Sequence, residues 1–248
     1  MLVDFCLPIK NEELILKNSL DKLLIYCRQS NFPFIWRIIG VLNGSTDSSR
    51  LILTDFKLRF PQELDFMEIK EPGRGGALKQ YWSTSPADLL VYMDADLAVS
   101  LDNIFGLVDP LIKNKQDLAV GSRFVSGAET KRSLGREVIS RAYSFLSRII
   151  LNQDITDLQC GFKAIRRETF LKIRPFLRDN YWFFDTELVV LSQFLGYRVK
   201  EVPVNWQENR FGRRQSKVKL FRDSLIFLKN LLSFRRRLKK IRKCRDNA

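Results

Sequence analysis

The sequence contains no histidine. That removes every imidazole-based triad and general base, and the commonest nitrogen ligand for metals. Cysteine is sparse. Cys6, Cys27, Cys160 and Cys244 lie far apart and form no CxxC pair, so the sequence offers no zinc site and fits a reduced, cytoplasmic setting. No apolar run reaches about 18 residues, and no membrane span is expected. The opening residues, MLVDFCLPIKNEE, lack a basic region followed by an apolar one and read as a strand rather than a signal peptide. Internal repeats and low-complexity linkers are also missing, which leaves one domain.

What is present is charge, unevenly placed. The 248 residues are 45% hydrophobic, enough for a full core, and carry a net charge of +14. Residues 1–117 hold 13 Lys and Arg against 16 Asp and Glu, whereas residues 118–248 hold 29 against 12. The first half is mildly acidic. The second half is where an anionic partner would bind: a nucleic acid, a phosphate-bearing substrate or an anionic membrane surface.

The first half also alternates. Apolar, β-rich runs at 2–9, 34–42, 64–69, 88–93 and 117–121 are separated by segments suited to helices, at 12–28, 47–59, 76–85 and 101–113. That rhythm predicts an α/β fold of βαβ units around a mostly parallel sheet with both faces covered. Ligands of such a sheet bind at the carboxyl ends of its strands. Each predicted strand ends in a polar or glycine-containing motif: PIKNEE, NGSTDSS, EPGRGGALK, DADLAVS and GSRF. Five such motifs on one edge predict a site there. In the second half, helices are predicted over 134–150 and WFFDTELVVLSQFLGY, and strands over QCGFKAIRR and RVKEVPVNW. A last amphipathic helix spans 217–234, its stripe of Val218, Phe221, Leu225, Leu228 and Leu232 expected to pack on the core. The tail that follows carries eight basic residues among positions 235–245.

Asp94 and Asp96 carry the most chemistry. They follow the apolar run LLVYM, and at i and i+2 on a strand both carboxylates would point one way. Two hard oxygen donors so placed suit Mg²⁺ or Mn²⁺ shared with a diphosphate. The plainer reading is a strand-end aspartate capping the next helix. Asn43, Ser45 and Thr46 in VLNGSTDSS offer hydrogen-bonding groups, and Asn11 in PIKNEE is a candidate N-cap. GRGGALK lacks the GK[ST] of a Walker loop and reads as a flexible cationic turn suited to closing over phosphates.

Taken in order, LPIKNEE, NGSTDSS, GRGGALK, MDADLAVS, GSRF, DLQCGFKAIRRE, WFFDTEL, GYRVKEVPVNW and SKVKLFRD resemble the family 2 glycosyltransferases. Within that family the set looks most like the polyprenyl- or dolichyl-phosphate sugar synthases. The likeness runs over about residues 2–232. It implies a single GT-A domain at 1–232, with a nucleotide-sugar half (about 1–117) and an acceptor half (about 118–232), followed by a basic tail at 233–248. It also implies roles. Pro8 and Glu12 match nucleotide contacts, with Lys10 where an aromatic is common. Asn43 stands where an acidic residue usually meets the base. Asp94, Ala95 and Asp96 match the DxD segment, with Asp94 and Asp96 as the catalytic, metal-binding pair. Lys217 matches a residue that closes over the diphosphate, in a loop that also carries Arg210, Arg213 and Arg214. Arg123, Arg136 and Ser140 match acceptor-phosphate contacts, the last two being four apart and so on one helix face. Asp157, Asp185 and Glu187 recur in the second-half motifs, either as sugar-binding or site-organising residues or as structural ion pairs. Ala98 replaces a glutamine common in mannosyl synthases, and WFFDTEL looks more like the glucosyl branch.

The resemblance thus implies an inverting, metal-dependent transferase. It would move a hexose from a nucleotide sugar, of UDP-glucose or GDP-mannose type, to polyprenyl or dolichyl phosphate. A lipid phosphate is already anionic, so the lack of histidine fits a reaction without a strong base. Such an enzyme is expected on the cytoplasmic face of a membrane, docked through its basic tail or through a membrane-anchored partner. Basic residues near an anionic leaflet contribute about 1 kcal/mol each. Two other readings stay open. The same transferase acting on a glycan hydroxyl in cell-envelope polysaccharide synthesis would need a base, such as Asp185 or Glu187. A nucleic-acid-binding module would explain the charge, but the sequence shows no reader motif, and no nucleic-acid partner is expected.

Overall fold

Apolar runs alternating with helical segments need a sheet covered on both faces, and such a sheet forms. A computed structural model describes residues 1–131, 134–207 and 220–246. The order is β1 (Leu2–Ile9), α1 (Glu13–Gln29), β2 (Ile35–Asn43), α2 (Ser49–Arg59), β3 (Leu64–Ile69), α3 (Arg74–Thr84), β4 (Leu89–Met93), α4 (Asn103–Ile112) and β5 (Leu118–Ser122). There follow β6 (Glu129–Lys131), α5 (Leu134–Leu151), β7 (Phe162–Arg166), α6 (Arg167–Ile173), α7 (Phe184–Phe194), β8 (Val199–Pro203), β9 (Asn205–Gln207) and α8 (Leu220–Asp246).

Seven strands form one sheet in the order β3-β2-β1-β4-β7-β5-β8. All neighbours are parallel except β7, which runs antiparallel to both β4 and β5. The expected mostly parallel sheet is therefore present, with one reversed strand near its middle. A small parallel ribbon of β6 and β9 lies beside it. β4 explains its own sequence. Leu89, Val91 and Met93 enter the core on one face, with Phe5, Leu20 and Leu107, while Leu90 and Tyr92 enter the other, with Trp82, Phe170 and Phe184. A strand buried on both faces reads as a continuous apolar run.

The last helix differs from expectation. α8 runs unbroken through position 232 to Asp246, so described residues of the basic tail are helical. Its buried core residues are Leu231, Phe234 and Leu238, whereas Leu228 and Leu232 of the expected stripe are exposed; Val218 and the side chains of Phe221 and Leu225 lie outside the described residues. Both sets fit a helical period. Packing against Phe183 and its neighbours in the second core chose the other one.

Candidate functional site

The loops at the carboxyl ends of β1, β2 and β3 meet. Asn43, at the end of β2, is buried. Its Nδ2 donates to the Ile9 carbonyl at 2.9 Å and its Oδ1 accepts from the Gly73 amide at 3.2 Å, so one side chain ties three loops. Pro8 sits opposite Val41 in the β1–β2 register. PIKNEE and NGSTDSS are cross-linked: Asn11 Oδ1 accepts from the Thr46 amide at 2.8 Å, and Ser49 Oγ from the amide of buried Glu12 at 3.0 Å. Asn11 is thus not the cap of α1. It sits at φ 53°, and Glu12 occupies the cap position.

The aspartate pair lies on a turn rather than on a strand. β4 ends at Met93, the Leu97 amide returns to the Asp94 carbonyl at 3.0 Å, and Asp96 Oδ1 accepts from the Ala98 amide at 3.2 Å. Strand alternation therefore does not orient these carboxylates; the turn does. Asp94 is seated by Gly161, whose carbonyl accepts from the Asp94 amide at 3.0 Å. A Cβ at position 161 would collide with the Asp94 carboxylate.

A row of alternating charges leads away from this turn. Arg74 Nη1 donates to Asp94 Oδ1 at 2.9 Å and Nη2 to Asp185 Oδ2. Asp185 Oδ1 also accepts from Tyr92 Oη at 2.7 Å and from buried Lys163 Nζ at 2.6 Å. The Arg74 guanidinium lies 4.2 Å from the centre of the Trp182 ring. Burial opposes its charge, but Asp185 and Asp94 outweigh that and raise its pKa further. Burial pushes the Tyr92 phenol well up. It also pushes the neighbouring Cys160 thiol up to about 12, which leaves it inert as a nucleophile.

GRGGALK is a seat rather than a flexible lid. The Gly76 amide donates to the Asn180 carbonyl at 2.9 Å, and Lys79 Nζ to the Asp179 carbonyl at 2.8 Å. A Cβ at Gly73 would strike that Asn180 carbonyl, and one at Gly75 the Phe184 side chain at its Cβ. The motif is glycine-rich because segment 178–184 packs directly on its backbone. That packing delivers Trp182 and Asp185 to Arg74.

In the half expected to take the acceptor, Arg123 follows β5 and pairs with Asp157. Its Nε and Nη2 reach the two Asp157 oxygens at 2.7 and 2.9 Å, and its amide donates to one of them at 3.1 Å. Burial raises the Asp157 pKa, but Arg123 overrides it and holds the carboxyl below the usual carboxylate range. Arg123, expected to meet an acceptor phosphate, is paired with Asp157. Ser140 lies half-buried on α5. The side chain of Arg136, and all of Arg210, Arg213, Arg214 and Lys217, lie outside the described residues. Ala95 and Ala98 are buried in the aspartate turn, and Ala98 lines a shallow cleft with Asp94, Leu97, Gly161 and Trp206. Glu187 serves a different place from Asp185, as two positions along a helix lie about 200° apart. It accepts from the amides of Arg178 and Asp179 and pairs with Arg237 of α8, which makes it a structural tie.

Asp94 and Asp96 fit a hard divalent cation in donor chemistry. Among the described residues no group of three or more Cys, Asp and Glu is gathered for a metal. An ion there would rely on substrate oxygens to complete its shell, as Mg²⁺ commonly does. Arg74, Gly161, Lys163 and Trp182 join the candidate site by their contacts, and sequence reasoning missed them. All four stood inside quoted motifs, where Arg74 passed as a generic cation, Gly161 and Lys163 as strand context and Trp182 as part of a helix.

Comparison with known proteins adds to this geometry. Residues 4–174 match the family Glycosyl transferase family 2. Glycosyltransferase AglD of Haloferax volcanii is 35% identical over 229 residues, covering 90% of this chain and 35% of AglD. Dolichyl-phosphate beta-glucosyltransferase ALG5C of Trichomonas vaginalis is 33% identical over 214 residues, covering 82% of this chain and 63% of its own. The chain thus spans about a third of one relative and under two thirds of the other. Glucosyl-3-phosphoglycerate synthase of Mycobacterium tuberculosis, solved with Mn²⁺, UDP-glucose and phosphoglyceric acid, superposes with a TM-score of 0.65. It is 17% identical, and the match covers 94% of this chain and 79% of that one, which supports the expected GT-A fold.

Proposed function

Because this chain belongs to glycosyltransferase family 2, we propose that it transfers glucose from UDP-glucose to a polyprenyl or dolichyl phosphate, with inversion. The observation that carries the reading is the Asp94 turn. Two carboxylates are presented at the carboxyl end of a central strand, beside a buried arginine that already holds one of them. Relatives named dolichyl-phosphate beta-glucosyltransferase, at 30% identity and above, support glucose over mannose and a lipid phosphate over a glycan. Asp94 and Asp96 would hold Mg²⁺ or Mn²⁺, which supplies charge neutralisation for the departing diphosphate. Arg74 would turn its Nη1 from Asp94 toward the same diphosphate while Asp185 keeps Nη2 fixed. Pro8, Glu12 and Asn43 would frame the nucleotide, and Lys217 would close over it. Arg136 and Ser140 would take the acceptor phosphate, with Arg123 and Asp157 as the wall behind them.

The carboxylates available for a base also support a phosphate acceptor. Asp185 is bound by Arg74, Lys163 and Tyr92, and Glu187 by two amides and Arg237. Neither is placed to take a proton from a glycan hydroxyl. A phosphate nucleophile needs alignment and neutralisation instead. The exposed cations of α8 suit a peripheral position on the cytoplasmic membrane face, alone or with a membrane-anchored partner. The test is transfer of labelled glucose from UDP-glucose to polyprenyl phosphate, with Mn²⁺ or with a chelator. An Asp96→Ala variant as fast as the parent would overturn the metal assignment, and preference for GDP-mannose would overturn the sugar.

A further inference from the structure

Arg74 already occupies one of the two carboxylates read as metal ligands. Its side chain is only 10% exposed, yet its Nη1 donates to Asp94 Oδ1 at 2.9 Å. The charge cannot be shed. Burial opposes it, but Asp185 and Asp94 raise the pKa further. The guanidinium is also firmly seated by contacts that do not involve Nη1. Nη2 is given to Asp185, which Tyr92 and Lys163 hold in turn. The Tyr92 and Trp182 rings lie 5.5 and 4.2 Å from the guanidinium carbon. Nor are its donors used up, since Nε is buried and has no hydrogen-bond partner among the described residues. Asp94 is the more open of the two carboxylates it bridges, with a side chain 35% exposed against 0% for Asp185.

We propose that Arg74 is a stand-in cation at the Asp94 turn, which yields Asp94 to a divalent ion only when a diphosphate arrives to take its Nη1, so that metal and nucleotide bind as a coupled pair. The inference rests on the reading that Asp94 and Asp96 hold a divalent ion and that the donor is a nucleotide sugar. The argument is one of charge. A carboxylate already paired with a fixed, buried guanidinium is a poor ligand for a second cation, because the two like charges repel across a short distance in a partly buried place. Asp185 cannot relieve this, as it is taken by Nη2, Lys163 and Tyr92. A diphosphate can. Its oxygens accept from a guanidinium as well as a carboxylate does, and its charge offsets both cations at once. Nη1 then crosses from Asp94 to a phosphate oxygen, Asp94 Oδ1 is released, and the Asp185 bond and the two rings keep Arg74 in place throughout. Without nucleotide the turn is neutralised from within and holds metal weakly.

The test is binding rather than turnover, on the 248-residue chain. Free Mn²⁺ is followed by its electron paramagnetic resonance signal, with and without UDP and corrected for Mn²⁺ held by free UDP; UDP is followed by calorimetry. The parent should bind Mn²⁺ at least about tenfold more tightly with UDP than without, within the range usual for coupled sites. Arg74→Gln removes the competing charge. It should bind Mn²⁺ alone at least about fivefold more tightly than the parent, and UDP with Mn²⁺ at least about tenfold more weakly, so the coupling collapses. Misfolding does not tighten a site, so the first of these changes guards against a damaged variant. Arg74→Lys keeps the charge without the fork, and its affinity for Mn²⁺ alone should stay at the parent value. Asp96→Ala separates the two readings. Mn²⁺ binding that survives it sinks the metal assignment itself. If Asp96→Ala abolishes binding, the metal assignment stands, and three results then overturn the stand-in role: a parent that binds Mn²⁺ equally with and without UDP, an Arg74→Gln variant no tighter for Mn²⁺ alone than the parent, or an Arg74→Lys variant as tight as Arg74→Gln.

Discussion

Two buried arginines stand near the Asp94 turn, and they are held in different ways. Arg123 gives two guanidinium nitrogens and its own amide to a single carboxylate, that of Asp157. Arg74 divides itself between Asp185, which is fully buried, and Asp94, whose side chain is 35% exposed. The first arrangement is closed: both charges are satisfied by each other, and Glu201 fixes the Asp157 amide at 3.0 Å from behind. The second is shared between a buried carboxylate and one that lines the cleft. A rigid fork anchored at one tine can change partner at the other without losing its place. Arg123 is spent on one buried carboxylate, whereas Arg74 bridges a buried carboxylate and a partly exposed one.

The contrast can be broken most sharply at Gly161. Gly161→Ala places a methyl where the Asp94 carboxylate lies. The expected loss in kcat/KM is about 10³-fold, roughly 4 kcal/mol, with little change in the urea midpoint. Asp157→Ala should do the opposite. It strands a buried guanidinium, and denaturant unfolding should show a loss of about 3–5 kcal/mol, while transfer per folded molecule changes less. Asp185→Asn keeps the shape but removes the anchor for Arg74. It should lower kcat/KM by about 10–100-fold, by analogy with outer residues that orient metal ligands. The closed pair also predicts a pH effect. The Asp157 pKa is lowered in the folded state, so its contribution is complete above the ordinary carboxylate value, near about 4, and is lost as pH falls through the folded value. Stability should decline on acidification below about pH 4, and Asp157→Asn should flatten that limb by up to about 1.4 kcal/mol per pH unit. The smallest effect belongs to Glu187→Gln, which weakens the tie to Arg237 and should cost about 1–2 kcal/mol without altering KM for the donor.

Much of the fold could be read from the order of its runs. Strands such as Leu64–Ile69 fell where their apolar residues and flanking breakers put them. The direction of β7 could not be read, because a short apolar run looks the same in either orientation. α8 shows the same limit differently. Leu228 and Leu232 share a helical period with Leu231, Phe234 and Leu238, and only the shape of the neighbouring core decides which set is buried. At the site, convergence of motifs located the edge and the aspartate pair. It did not reveal that Gly161 makes room for Asp94, or that segment 178–184 lies on the GRGG backbone, since each is a meeting of distant segments. The strand argument for Asp94 and Asp96 reached the right edge through a conformation that the chain does not adopt there.

The reversed strand has a consequence for how the protein can be made. β4 has β1 on one side and β7 on the other, and β7 comes from residues 162–166, long after β5 at 118–122. Chains grow at about 5–20 residues per second. For several seconds, therefore, a nascent chain that already holds the Asp94 turn has no mate for one side of LLVYM, the most apolar strand of the sheet. An uncovered edge of that kind is a template for pairing with other chains. A fragment ending after β5 would keep that edge for its lifetime and should precipitate, although it contains nearly every motif assigned to the nucleotide sugar.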